Sequence, residues 1–186
     1  MDDRPADGIR QLWILRHAEA RPTPPPGGRD RDRPLTDRGR RDAADLGARL
    51  ASGRPPLDAP VLVLPEVALV SAAARTVETA GLVGEGLGGR LRTETYLSLY
   101  SAEPETVLVY LREVAGDPRS VLVVGHNPTV SHLAFDLLDD GSTGRDHLAA
   151  HGLSTCSLAV VDLAIGAWED AAADGGALVG LFGPPY

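Results

Sequence analysis

The residues best equipped for chemistry stand where apolar runs stop. "WILRHAEAR" (13–21) carries an apolar stretch, Trp13 to Leu15, that ends in Arg16 and His17. "VALVS" (67–71) ends in Ser71 and runs on to Arg75. "SVLVVG" (120–125) ends in His126, directly before Asn127 and Pro128. A guanidinium is a planar fork of N–H donors that matches phosphate oxygens, and a helix start adds backbone N–H groups. If the three runs are parallel strands, two arginines, two histidines and a helix N-terminus converge on one edge. Such a cluster suits a tetrahedral dianion. Each piece alone also has a plain structural reading: a surface turn, a solvated arginine, a strand–turn–helix junction.

The elements that must position these groups are readable from periodicity. Strands are predicted at 10–16, 67–71, 90–97, 120–125, 156–163 and 177–183, with a further apolar run at 61–64. Helices are predicted at 36–52 with Thr36 as cap, at 74–87, at 104–115 with Pro104 in the first turn, and at 127–139 with Asn127 as cap and Pro128 at the first helical position. Alternating strands and helices, with several strands wholly apolar, predict a three-layer α/β/α fold. Its central sheet has about six strands, is mostly parallel, and carries helices on both faces. In such sheets ligands sit beyond the carboxyl ends of the strands. The Pro/Gly/Arg-rich segment 21–34 reads as a loop, either a surface loop or a rim beside Arg16 and His17.

Composition narrows the function. With 186 residues, one domain over 1–186 is expected, with a flexible N-terminus at 1–9. All 18 basic residues are arginine, which removes the chemistries that need a phosphate-binding or Schiff-base lysine. The net charge of −8 argues against nucleic acid as a partner. That charge is uneven: residues 1–54 carry a net +3 and residues 55–186 a net −11, so a small anion is attracted toward the first part. No apolar run approaches the ~20 residues that span a bilayer, and the acidic first residues do not read as a signal peptide. The single cysteine, Cys156, leaves no internal disulfide, and a cytoplasmic location is expected.

Taken together, the motifs resemble the histidine phosphatase superfamily, which also contains the cofactor-dependent phosphoglycerate mutases. "LRHAEA" is similar to its signature, "RPLTDRGRRDAADLG" (33–47) to its RPLTxxGxxqA segment, "VSAAARTVETA" (70–80) to SPxxRAxxTA, and "VLVVGHNPTVSHLA" (121–134) to its VGHNP segment. The short length, the GHNP wording and the "STCSLAVVDL" ending are most like the SixA-like phosphohistidine phosphatases. The resemblance implies that His17 is the nucleophile and forms a phosphohistidine intermediate that water hydrolyses. It implies that Arg16, Arg75 and His126 hold the phosphate oxygens, with no metal and no cofactor. Neutral imidazole is a competent nucleophile, and partial protonation of His126 would help to hold the anion.

The sequence departs from the pattern in places. Ala72 follows Ser71 where the family has proline, and Thr76 follows Arg75. Leu99 stands where ester-hydrolysing members carry a glutamate, and Glu103 is the nearest carboxylate. Glu103 reads either as a proton donor or as a cap of the 104–115 helix. An alkoxide leaving group needs a proton from a general acid, whereas a phosphorylated imidazole does not depend on one. The expected substrate is therefore a phosphohistidine-containing protein, with inorganic phosphate as product. Two alternatives remain: a phosphatase of small phosphate esters with Glu103 as acid, and a non-catalytic phosphate-binding module. His147 and His151 have a metal-ligand spacing but read as a solvated loop or short helix, and His132 reads as structural.

Overall fold

Short apolar runs bounded by Gly, Pro and polar residues form the strands, and amphipathic segments between them form helices. The computed structural model describes residues 8–52 and 62–186. In chain order the elements are β1 (Arg10–Arg16), α1 (Asp37–Ala51), β2 (Val67–Ser71), α2 (Ala74–Gly86), β3 (Arg92–Tyr96), α3 (Pro104–Arg112), β4 (Ser120–Gly125), α4 (Thr129–Leu137), α5 (Arg145–His151), β5 (Leu158–Leu163) and β6 (Gly176–Phe182). Single 3₁₀ turns occupy Asp30–Asp32, Ser98–Tyr100 and Trp168–Asp170.

The six strands form one sheet in the order β3-β2-β4-β1-β5-β6. β1, β2, β3 and β4 are parallel, and β5 alone runs against the rest. The prediction of a mostly parallel α/β sheet therefore holds.

Alternation along each strand divides the core in two. Leu12 and Ile14 face one side with α3, α4 and α5 through Leu111, Leu133 and Leu148. Trp13 and Leu15 face the other side with α1 and α2 through Leu46 and Val83. The helix after β1 thus covers one face and the helix after β4 covers the other. The carboxyl ends of neighbouring β1 and β4 are where the chain changes sides, and this is the crevice where open α/β sheets bind ligands. Arg16 pairs in register with Gly125 there.

Local chemistry sets the elements beside this crevice. Thr36 caps α1 as predicted: its hydroxyl accepts from the Gly39 N–H at 3.0 Å and donates to Glu19 Oε2 at 2.7 Å. Gly39 lies so close to the β1 side that an added Cβ would sit 2.1 Å from the Glu19 carbonyl oxygen. The start of α1 is thereby fixed against the segment that follows His17.

Several predicted boundaries change. α4 begins at Thr129: Pro128 is its N-cap residue, after a cis Asn127–Pro128 peptide, and the Asn127 side chain is engaged elsewhere. α3 ends at Arg112, three residues before the predicted end, and β3 covers only Arg92–Tyr96. Of the 61–64 run, residues 62–64 are not a strand and residue 61 lies outside the described residues. The proposed flexible N-terminus also lies almost wholly outside them. Cys156 precedes β5 in a turn with φ of +59° rather than inside the strand. Burial pushes its thiol up to about 12, so it is inert near neutral pH. No helix among the described residues is long and apolar enough to cross a membrane.

Candidate active site

β1 delivers Arg16 and His17 to the crevice because its pairing continues past its last residue. The His17 N–H donates to the Gly125 carbonyl at 3.1 Å, and the His17 carbonyl accepts from the Cys156 N–H at 3.1 Å. The Ala18 N–H donates to Thr79 Oγ1 at 3.1 Å, and that hydroxyl donates to the Arg75 carbonyl at 2.6 Å. Thr79 thus ties the loop after β1 to the first turn of α2. Arg75, at 5% exposure, lies in that turn. His126 follows β4, and its ring centroid is 5.2 Å from that of His17. Arg16, His17, Arg75 and His126 therefore meet, as the parallel-strand argument requires.

The His17 ring is held in one tautomer. Its Nδ1 lies 2.7 Å from the Ala18 carbonyl oxygen, which can only accept. Nδ1 therefore carries the proton, and the Nε2 lone pair is left for other chemistry. Burial, followed by the nearby Arg75 and Arg16 guanidiniums, lowers the His17 pKa to about 4, against the opposing effect of the Ala18 hydrogen bond. The ring is neutral at physiological pH. An NMR titration of this imidazole should have its midpoint near 4 rather than near the ordinary ~6.5. A midpoint of 6 or above contradicts the burial argument. The unfolded chain takes up the proton first, so this group makes folding stability decline as pH falls from about 6.5 toward about 4.

His126 is also neutral. Burial and the neighbouring Arg75 charge lower its pKa to about 3. Partial protonation of His126 is expected only with a bound phosphate to favour it, because guanidinium charge and poor solvation both oppose it. Ser71 offers another route to a donor. Its Oγ lies 2.8 Å from His126 Nε2. When Ser71 donates to Nε2, the proton of the neutral ring lies on Nδ1 and can be donated.

Arg16 and Arg75 are held by carbonyl oxygens. Arg16 Nη1 donates to the Leu153 carbonyl at 2.9 Å, and burial lowers its pKa. Arg75 Nη1 donates to the Asp30 carbonyl at 3.1 Å, and Nη2 to Asp30 Oδ2 at 3.3 Å. Arg16 Nε, Arg75 Nε and His126 Nδ1 are buried with no hydrogen-bond partner among the described residues. Leaving a buried polar atom unpaired costs about 1–3 kcal/mol, so three within one cluster call for a functional explanation.

The Leu153 carbonyl is itself fixed by a small network. It also accepts from Asn127 Nδ2 at 2.8 Å, the Leu153 N–H donates to Ser131 Oγ at 2.8 Å, and Ser131 Oγ donates to Asn127 Oδ1 at 2.7 Å. Gly152, with φ of +59°, lets the chain pass this network: an added Cβ would lie 2.8 Å from Ser131 Oγ. Ser131→Ala removes the hydroxyl that holds both Asn127 and Leu153. It should cost about 1–3 kcal/mol of stability and weaken phosphate binding severalfold through Arg16. Denaturant unfolding and calorimetric titration with inorganic phosphate check both. A variant with wild-type phosphate affinity contradicts the link to Arg16.

Other candidates lie apart. Glu103 is exposed and is the N-cap residue of α3 by backbone conformation, with no side-chain capping bond. It lines a cavity of about 410 Å³ with Leu108, Leu133, Asp136, Arg145 and Asp174, none of them in the arginine–histidine cluster. Leu99 is buried in the core on the α3 and α4 side. His147 and His151 are on α5, a short helix, with rings stacked at 4.7 Å, and His132 is exposed on α4. Asp30 and Tyr100 also join the cluster, and the sequence pattern does not single them out. Nothing in "RDRDRP" separates Asp30 from Asp32, and Tyr100 reads as one apolar position among several.

An α/β sheet that gathers two histidines and two arginines at its switch point has the donor set that suits an oxyanion. The family model for the histidine phosphatase superfamily (branch 1) matches residues 12–98, which include Arg16, His17 and Arg75. An uncharacterized protein of Mycobacterium tuberculosis is 34% identical over 174 residues, covering 91% of this chain and 99% of that protein. The structure of a candidate phosphohistidine phosphatase SixA from Nakamurella multipartitia superposes with a TM-score of 0.78 at 30% identity, over 98% of this chain and 100% of the other. The protein histidine phosphatase SixA in complex with tungstate matches with a TM-score of 0.71 at 25% identity, over 94% and 97% of the two chains. The chain belongs to the histidine phosphatase superfamily, branch 1. Within it, the chain is SixA-like.

Proposed function

We propose that this protein is a metal-independent phosphatase of protein phosphohistidine, acting through a covalent phosphohistidine at His17. The observation that carries this reading is the pairing of two features in one cluster. His17 has its Nε2 lone pair free of a proton, and three buried polar atoms around it lack partners among the described residues. A phosphoryl group satisfies both. Its phosphorus takes the lone pair, and its oxygens take hydrogen bonds from Arg16, Arg75 and His126. The likeness to a SixA structure that holds tungstate, itself an oxyanion, supports the same assignment.

The reaction runs in two displacements. His17 Nε2 attacks phosphorus, and the P–N bond to the substrate imidazole breaks with its electron pair leaving on that nitrogen. The other nitrogen of that ring has already taken up a proton from water, so the ring leaves as neutral imidazole. A second water then attacks the phosphoryl group, the P–Nε2 bond breaks, and inorganic phosphate leaves with His17 again neutral. The cage stabilises the charge on the equatorial oxygens in both steps, which is most of what phosphoryl transfer asks of a protein. A small-molecule esterase reading with Glu103 as acid has less support, because Glu103 faces a different cavity. The cysteine count and the absence of a membrane-crossing helix among the described residues are compatible with a cytoplasmic enzyme.

The test is phosphate release from phosphoramidate and from an alkyl ester, glycerol phosphate, with EDTA present. The P–N substrate should react faster by at least about tenfold, because only the alkoxide leaving group of the alkyl ester relies on an enzyme-supplied proton. A faster ester reaction overturns the substrate assignment.

A further inference from the structure

The loop at 21–34 places a carboxylate inside a cluster built for anions. Asp30 Oδ2 accepts from the Tyr100 hydroxyl at 2.5 Å and from Arg75 Nη2 at 3.3 Å, and Oδ1 accepts from Arg33 Nε at 2.8 Å. Its carbonyl accepts from Arg75 Nη1 at 3.1 Å. Both terminal nitrogens of Arg75 are therefore shared with Asp30. The Tyr100 ring stands edge-on to His126 at 5.5 Å, and the Asp30 charge opposes the lowering of the His126 pKa. The two partners differ in exposure: the Arg75 side chain is 6% exposed and the Asp30 side chain 55%. Burial does not force this pair together, because the carboxylate could be solvated.

Resting on the phosphatase reading above, we propose that Asp30 is a specificity-determining residue that limits the negative charge the cage accepts. Like charges a few ångströms apart repel, and each added charge on the ligand adds to the cost. An N-phosphoryl imidazole protonated on its ring carries one positive charge against the phosphoryl oxygens, so its net charge is lower than that of a phosphate dianion. The Asp30 carboxylate penalises the dianion more. It therefore favours phosphoryl groups borne on a protonated nitrogen over phosphate esters of neutral alcohols, and it weakens the hold on product phosphate. Tyr100 keeps the carboxylate at this position.

Asp30→Asn tests the proposal, since the amide keeps the shape and an acceptor oxygen and removes the charge. Binding is read by calorimetric titration with inorganic phosphate at pH 7.5, and specificity by kcat/KM for phosphoramidate and p-nitrophenyl phosphate. Phosphate should bind about tenfold more tightly, and the phosphoramidate-to-ester ratio should fall severalfold because the ester improves. Asp30→Ala should move phosphate affinity the same way. If Asp30 serves only to orient Arg75, phosphate binds more weakly and both substrates decline together, and the proposal is overturned. An unchanged phosphate affinity overturns it too. The two readings fail separately. Wild-type protein that cleaves neither substrate ends the phosphatase reading and this one with it. Wild-type turnover with no shift in Asp30→Asn ends only the role of Asp30.

Discussion

His17→Ala should abolish turnover of phosphoramidate, by on the order of 10⁴-fold or more, because it removes the imidazole whose free Nε2 lone pair takes the phosphoryl group. Phosphate affinity should change far less, within about tenfold, since Arg16, Arg75 and His126 still surround the anion. The split between lost turnover and retained binding is what separates a nucleophile from a cage residue. Steady-state kinetics with phosphoramidate and calorimetric titration with inorganic phosphate read the two quantities. If His17→Ala keeps more than a few per cent of wild-type activity, His17 is not the nucleophile. The fold should tolerate the change. The His17 side chain is partly exposed, and the strand pairing around it runs through its main chain.

Arg75→Ala is the second large effect, with kcat/KM expected to fall by about 10³-fold. Two losses combine. The anion loses a guanidinium fork, and Asp30 loses the charge that neutralises it. Among the described residues, the carboxylate then keeps Arg33 as its cationic partner beside the cage. Phosphate affinity should therefore drop more than it does in Arg16→Ala. Arg75→Lys should recover little, because a compact ammonium cannot bond Asp30 through two nitrogens while presenting a third donor to the ligand. Adding Asp30→Asn to Arg75→Ala should restore part of the affinity. A double variant no better than Arg75→Ala would show that the two groups do not act on the same anion.

How far the chain could be read unaided depends on sequence distance. β1, β2 and β4 are apolar runs with polar ends, so their identity follows from local pattern, their parallel direction from the helices that alternate with them, and Arg16, His17 and His126 are placed by being the residues that end them; the strand order is set by the assembled sheet. Arg75 follows from its offset into the helix after Ser71. The rest depends on contacts between segments that are remote in sequence. Asp30 meets Arg75 across 45 residues and Tyr100 across 70. The clamp on Arg16 joins Asn127 and Ser131 to the Leu153 main chain, and no side-chain pattern announces a carbonyl as a partner. The start of α4 shifted because the Asn127 side chain is committed to this clamp rather than to capping. The neutral state of His126 comes from burial and the Arg75 charge, which only the assembled site supplies.

The central claim is that phosphorus becomes bonded to His17. The most direct measurement is to mix the wild-type protein with phosphoramidate, quench with base within the turnover time, digest, and locate the phosphoryl group by mass spectrometry. The account predicts one acid-labile, base-stable phosphoryl group on the peptide containing His17, carried at Nε2 and absent from His17→Ala. Turnover with no trapped phosphoryl group, or a label on His126 or any other residue, would contradict it.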